Sequence, residues 1–179
     1  TWVPAINGVV TSTTTLRAAL TAQGHEVRVL TLSGDCHTYT KDGVTSLGSL
    51  DAGLVYPGAR LRAPALNRAI RDLIEWRPDV VHSQCEFSTF APARRIAHAA
   101  GAPLIHTYHT VYEDYTHYFS PSRSMGRKMA ALFTRMICAG CDAVIAPTSK
   151  ISRLLAGYGV HCPVCIIPTG LDLQRFAVP

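Results

Sequence analysis

The stretch of this chain richest in groups able to do chemistry is Tyr108–Tyr118, YHTVYEDYTHY. It places four tyrosines, two histidines and two carboxylates within eleven residues. Aromatic rings stack on sugar faces, while carboxylates and imidazoles accept hydrogen bonds from hydroxyls or move protons. A solvated loop whose tyrosines cap a core is the plain alternative. Loops with this content more often carry function, so the segment is read as part of a site. Asn7-Gly8 is a second candidate, because glycine lets backbone amides approach a phosphate and a following helix N-terminus favours negative charge. An Asn-Gly pair alone is more often a turn. His82 and His106 lie inside apolar runs and read as satisfied core histidines.

The cysteines pose a metal question. Cys138 and Cys141 form one CxxC, Cys162 and Cys165 another, with twenty residues between the pairs. That spacing lies within the zinc range, and Cys141 and Cys162 precede neighbouring strands. Against a metal, a three-residue offset along a strand turns Cys162 and Cys165 to opposite faces, on the edge away from the expected cleft. The reading adopted is no metal, with the thiols as small semi-buried hydrophobes.

The elements that must position these groups alternate along the chain. Short apolar runs at Glu26–Leu32, Asp79–His82, Pro103–Thr107, Asp142–Pro147 and Val164–Pro168 read as strands buried on both faces. Val44–Leu47 is a weaker run, read as an edge strand. Helical patterns cover Val10–Gln23, Ala65–Trp76, Thr89–Ala100, Ser124–Ala139 and Thr148–Ala156. Gly24 and Gly101 close two of them, Pro78 stops another, and Thr148 is an N-cap. In Ala65–Trp76, Leu66, Ile70, Leu73 and Ile74 share one face. Strands alternating with helices predict an α/β fold with a doubly wound, mostly parallel, Rossmann-like sheet. Ligands bind beyond the carboxyl ends of such strands. That rule selects the loops at Asn7-Gly8, His82–Glu86, Tyr108–Tyr118, Thr148 and Thr169-Gly170.

Composition narrows the partners. The 179 residues are 47% hydrophobic and 16% charged, a globular balance. No apolar run approaches the roughly 18 to 20 residues that cross a bilayer, and no signal peptide is visible. Seventeen Lys and Arg against twelve Asp and Glu give +5, which favours anionic partners. Nucleic acid is disfavoured, since no binding signature or long basic run is present. The helix over Ser124–Ala139 is basic and amphipathic. Arg127, Lys128 and Arg135 are read on one side with Arg123 just before, and Met125, Met129, Leu132, Phe133 and Met136 on the other. An ordinary domain helix fits that pattern too. The expectation is weak, salt-sensitive docking of the four basic residues on an anionic membrane.

The segments TWVPAINGVV, RPDVVHSQCEFS, PLIHTYHTVYEDYTHY, DAVIAPTSKI and IPTGLDLQRF, in that order, resemble the N-terminal domain of family-4 retaining glycosyltransferases of the GT-B fold. The resemblance is nearest to bacterial diacylglycerol glucosyltransferases. It implies glucose transfer from UDP-glucose to the 3-hydroxyl of diacylglycerol, without a metal or cofactor. It places Gly8, with Asn7, against the donor diphosphate and His109 against the donor sugar. Glu86 and the segment Tyr112, Glu113, Asp114 and Tyr115 would line the acceptor pocket, and Thr148 would face the interdomain seam. Residues 1–167 would form the acceptor-side domain without its first strand, and 168–179 the start of a linker. A C-terminal domain outside this sequence would hold the nucleotide sugar, leaving this chain inactive alone. The setting expected is cytoplasmic, peripheral on the inner face of the cell membrane. Transfer to phosphatidylinositol or a glycosylated diacylglycerol, or a non-catalytic lipid- or sugar-binding module, stays open as an alternative.

Overall fold

The computed structural model describes residues 7–52, 60–61, 67–112 and 122–170. These divide into two compact units, one within Thr1–Trp76, Phe87–Pro92 and Thr169–Pro179, the other within Arg77–Glu86 and Ala93–Pro168.

In the first unit, helix α1 spans Gly8–Ala22, two residues ahead of the expected start. The cause is Asn7, whose Oδ1 accepts from the Val10 amide at 2.9 Å and caps the helix. Gly24 then takes the left-handed conformation, φ 88°, as its position after the helix requires. The run expected as a strand from Glu26 shortens to β1, Val29–Leu32. Upstream of it, Arg28 donates to Glu26 at 2.8 Å and lies 4.5 Å over the Trp76 ring. β2 (Tyr39–Lys41) and β3 (Val44–Leu47) are joined by Asp42-Gly43, both at positive φ. That is the two-residue hairpin signature, and it makes β2 antiparallel to β3. β3, expected at an edge, therefore sits in the middle of the order β1-β3-β2 and runs parallel to β1. β4 (Leu50–Asp51) and β5 (Arg60–Leu61) pair antiparallel. Helix α2, Arg68–Glu75, is capped by Asn67 and buries Ile70 and Leu73. Of that expected apolar face, Ile74 is half-buried and Leu66 lies outside the described residues.

The second unit holds four parallel strands, β6 (Val81–Ser83), β7 (Leu104–Thr107), β8 (Ala143–Ala146) and β9 (Val164–Ile166), in sequential order. Helices α3 (Phe90–Ala100), α4 (Arg123–Cys138) and α5 (Ser149–Gly157) intervene in sequence, the βαβ alternation of a Rossmann-like domain. The described strands thus form three hydrogen-bonded sheets rather than one continuous sheet. Leu104, His106, Thr107, Val144 and Ala146 are buried, as interior parallel strands demand. Asp142 ties the starts of β7 and β8 together, its carboxylate accepting from the Leu104 amide at 2.7 Å.

Helix α4 corrects an expectation about its faces. Gly126, Ala130, Thr134 and Cys138 form its buried stripe. Met125, Met129, Leu132 and Met136, spaced four, three and four apart, are all exposed. Small residues let the helix backbone approach its neighbours closely, so the bulky apolar side chains are turned out. Arg123, Arg127, Lys128 and Arg135 are exposed as expected. They share the outer surface with the large apolar residues instead of opposing them. Among the described residues no helix is long and apolar enough to cross a membrane.

Candidate functional site at the carboxyl ends of the parallel strands

Because β6 to β9 are parallel, the residues following each strand gather at one edge of the sheet. Gln84 to Glu86 follow β6, Tyr108 to Tyr112 follow β7, and Pro147 and Thr148 follow β8. Register decides which side chains meet. His82 pairs with Ile105, so it shares a face with Ile105 and Thr107, while Ser83 pairs with His106 on the other face.

On the first face a chain of hydrogen bonds leads outward. His82 Nε2 lies 2.7 Å from Thr107 Oγ1 and 2.9 Å from Gln84 Nε2. Gln84 Oε1 in turn lies 2.7 Å from His109 Nε2. Burial lowers the His82 pKa to about 4, with the positive ends of His106 and His109 adding to the effect. Burial also lowers His109, partly opposed by the Glu86 carboxylate and reinforced by His106. Both imidazoles are neutral near pH 7 as a result. His109 is only half-buried.

The second face is closed. His106 is fully buried, its Nε2 3.3 Å from Glu86 Oε1. Tyr108 is buried beside it, with its hydroxyl 3.2 Å from Thr134 Oγ1 of α4 and its pKa pushed by burial to about 12. Tyr112 packs edge-on against Tyr108 and Phe133, at 6.1 and 5.2 Å between ring centres. Burial first, then the neighbouring Glu86 charge, pushes the Tyr112 hydroxyl far above its ordinary range. Glu86, expected as a pocket-lining group, is itself buried and directs its carboxylate inward to His106 and Tyr112.

The remaining candidates are at helix starts. In the first unit, the amides of Gly8 and Val9 stand ahead of the first intrahelical bond, and a Cβ at Gly8 would meet nothing within 4 Å. In the second, Thr148 is the N-cap of α5, accepting from the Ile151 amide at 3.2 Å. Glu113, Asp114 and Tyr115 lie outside the described residues. His106 is the buried histidine expected, whereas His82 is half-buried and belongs to the site. Gln84 and Thr107 went unremarked in the sequence. The alternation His82-x-Gln84 at a strand end was the available signal, since residues two apart share a face.

Among the described residues no group of three or more His, Cys, Asp or Glu is arranged to hold an ion. Cys138, Cys141 and Cys162 do approach one another, and burial raises all three thiols, the first two to about 12. Cys165 is exposed on β9.

Comparison with known proteins places this arrangement. The whole chain is 32% identical over 180 residues to an alpha-monoglucosyldiacylglycerol synthase of Streptococcus pneumoniae, covering 41% of that protein. It is 31% identical over 185 residues to an alpha-monoglucosyldiacylglycerol synthase of Acholeplasma laidlawii, with 98% of this chain and 46% of that one aligned. The chain thus spans less than half the length of these curated relatives. Residues 6–175 match Glycosyltransferase Family 4, and with nearly its full length inside that match the chain belongs to this family.

Proposed function

We propose that the protein containing this chain transfers glucose from UDP-glucose to diacylglycerol with retention of configuration, and that this chain is its acceptor-side domain. The observation that carries the reading is the half-buried, neutral His109, held at the strand ends in a chain whose relatives bear the name of diacylglycerol glucosylation. A neutral imidazole beside a sugar stabilises the reacting centre without placing a fixed positive charge on it. His109 is the group assigned to the donor sugar.

The diphosphate is assigned to the N-terminus of α1 rather than to a metal. The Gly8 and Val9 amides of α1 offer donors, and the open space beside Gly8 leaves room for a phosphate oxygen. In the second unit, Thr148, the N-cap of α5, is assigned to the donor side. As the diphosphate departs, the α1 dipole stabilises its growing charge, and the diphosphate accepts the proton of the attacking lipid hydroxyl on the same face. Glu86 acts from behind, fixing Tyr112, while Tyr112, Glu113, Asp114 and Tyr115 are assigned to the acceptor pocket. The outward apolar stripe of α4, flanked by Lys128 and Arg135, is assigned to the anionic inner face of the cell membrane, where the acceptor resides.

The test is incubation of the full-length protein with radiolabelled UDP-glucose and phosphatidylglycerol vesicles containing diacylglycerol. Label in the apolar extract as an α-glucoside supports the reading. Label only when phosphatidylinositol or glucosyl-diacylglycerol replaces diacylglycerol would move the acceptor, and no lipid-linked label with any of them would overturn the function.

A further inference from the structure

The hydrogen bonds behind His109 have a direction that the amide of Gln84 sets. An amide nitrogen donates and cannot accept. With the Gln84 amide in this orientation, its Nε2 at 2.9 Å donates to His82 Nε2, the bare nitrogen of that ring, and the Thr107 hydroxyl at 2.7 Å shares the same lone pair. An amide oxygen accepts and cannot donate. In the same amide orientation Gln84 Oε1 lies 2.7 Å away, so His109 Nε2 carries hydrogen and donates to it. A neutral imidazole has one N–H, so the other nitrogen of His109, Nδ1, is left with a lone pair.

We infer that Gln84 is a positioning residue: anchored by His82 and Thr107, it locks His109 in the Nε2–H tautomer and leaves Nδ1 to accept a hydrogen bond from a substrate hydroxyl. The inference rests on the assignment of His109 to the donor sugar. The anchor matters because a glutamine side chain has three rotatable bonds and an amide that can turn over. Turned over, it would present nitrogen to His109, which would then carry hydrogen on Nδ1 and offer the sugar a donor instead. His82 and Thr107 are both on or at the end of strands, so the anchor is set by backbone register and not by loop conformation. Among the described residues, the titratable groups facing His109 are Glu86, His106 and, through Gln84, His82. Glu86 is already engaged with His106, so Gln84 is the side chain that contacts the His109 ring nitrogen.

The experiment uses the full-length protein labelled with 15N-histidine, reading ring-nitrogen protonation by two-bond proton–nitrogen spectra, with His109 assigned by its loss in His109→Ala. In the wild type, His109 should show hydrogen on Nε2 and none on Nδ1. In Gln84→Leu the ring should become a tautomer mixture, and kcat should fall about tenfold with KM for the lipid unchanged, the worth of one oriented hydrogen bond. Gln84→Glu keeps an acceptor oxygen on His109 while adding a negative charge. It should retain the Nε2–H form and move the acid limb of kcat to higher pH, which a merely structural role would not do. Unaltered unfolding midpoints establish that both variants are folded. Hydrogen on Nδ1 in the wild type, or an unchanged tautomer in Gln84→Leu, would overturn the inference. A shifted tautomer with unchanged kcat would instead withdraw His109 from the sugar, and the glucose-transfer assay reports separately on the function.

Discussion

Replacing Met129 and Met136 of α4 by serine should detach the protein from membranes without unfolding it. Met125, Met129, Leu132 and Met136 are 48, 55, 53 and 59% exposed. Full burial of such a side chain is worth about 1.5 to 3 kcal/mol, so the exposed half of each leaves about 1 kcal/mol to gain in lipid. The stripe then contributes about 4 kcal/mol, and Met129→Ser with Met136→Ser removes about 2 kcal/mol, a roughly 30-fold weaker partition. The basic residues add about 1 kcal/mol each at an acidic surface, a contribution that salt screens. Flotation with phosphatidylglycerol vesicles at low and high salt separates the two. Lys128→Glu should weaken binding at low salt only, whereas the double serine variant should weaken it in both. Because both methionines already meet water, the thermal midpoint should hardly move. High-salt flotation equal to wild type would refute the assignment of this stripe to lipid.

Lowering pH should destabilise the second unit through His82. Its folded pKa is depressed from 6.5 to about 4, so between those values the unfolded chain takes up a proton that the folded chain refuses. Stability is complete above 6.5 and falls toward pH 4 by at most about 3 kcal/mol. His82→Gln should flatten that part of the denaturation profile, and an equal slope in the variant would refute the cause. His109→Ala should lower turnover far more than acceptor affinity, since a group beside the donor sugar acts as charge develops. Comparable loss in both would make it a packing residue. Gly48→Ala puts a Cβ into the Cys36 carbonyl and should cost about 2 kcal/mol or more in chemical denaturation. A shift within error would show that the Cys36 turn yields freely.

Element type and order were legible because apolar spacing is a local property. The runs ending at Leu32 and Thr107 and the cap Thr148 declare themselves within a few residues. The Asp42-Gly43 hairpin is equally local, and it is what puts β3 inside its sheet rather than at an edge. What tertiary structure alone decided is which partner each side chain meets. The sequence of α4 contains a large apolar stripe and a small-residue stripe, and hydrophobicity favours burying the former. Close approach requires the latter, through Gly126, Ala130, Thr134 and Cys138. Glu86, expected along the acceptor pocket, is buried with its carboxylate against His106. The one local mark of Gln84 is its spacing two residues after His82 at a strand end. Its role comes from strand register, which brings His82 and Thr107, twenty-five residues apart, onto one face, and a sequence does not show its hydrogen-bond partners until the strands are paired.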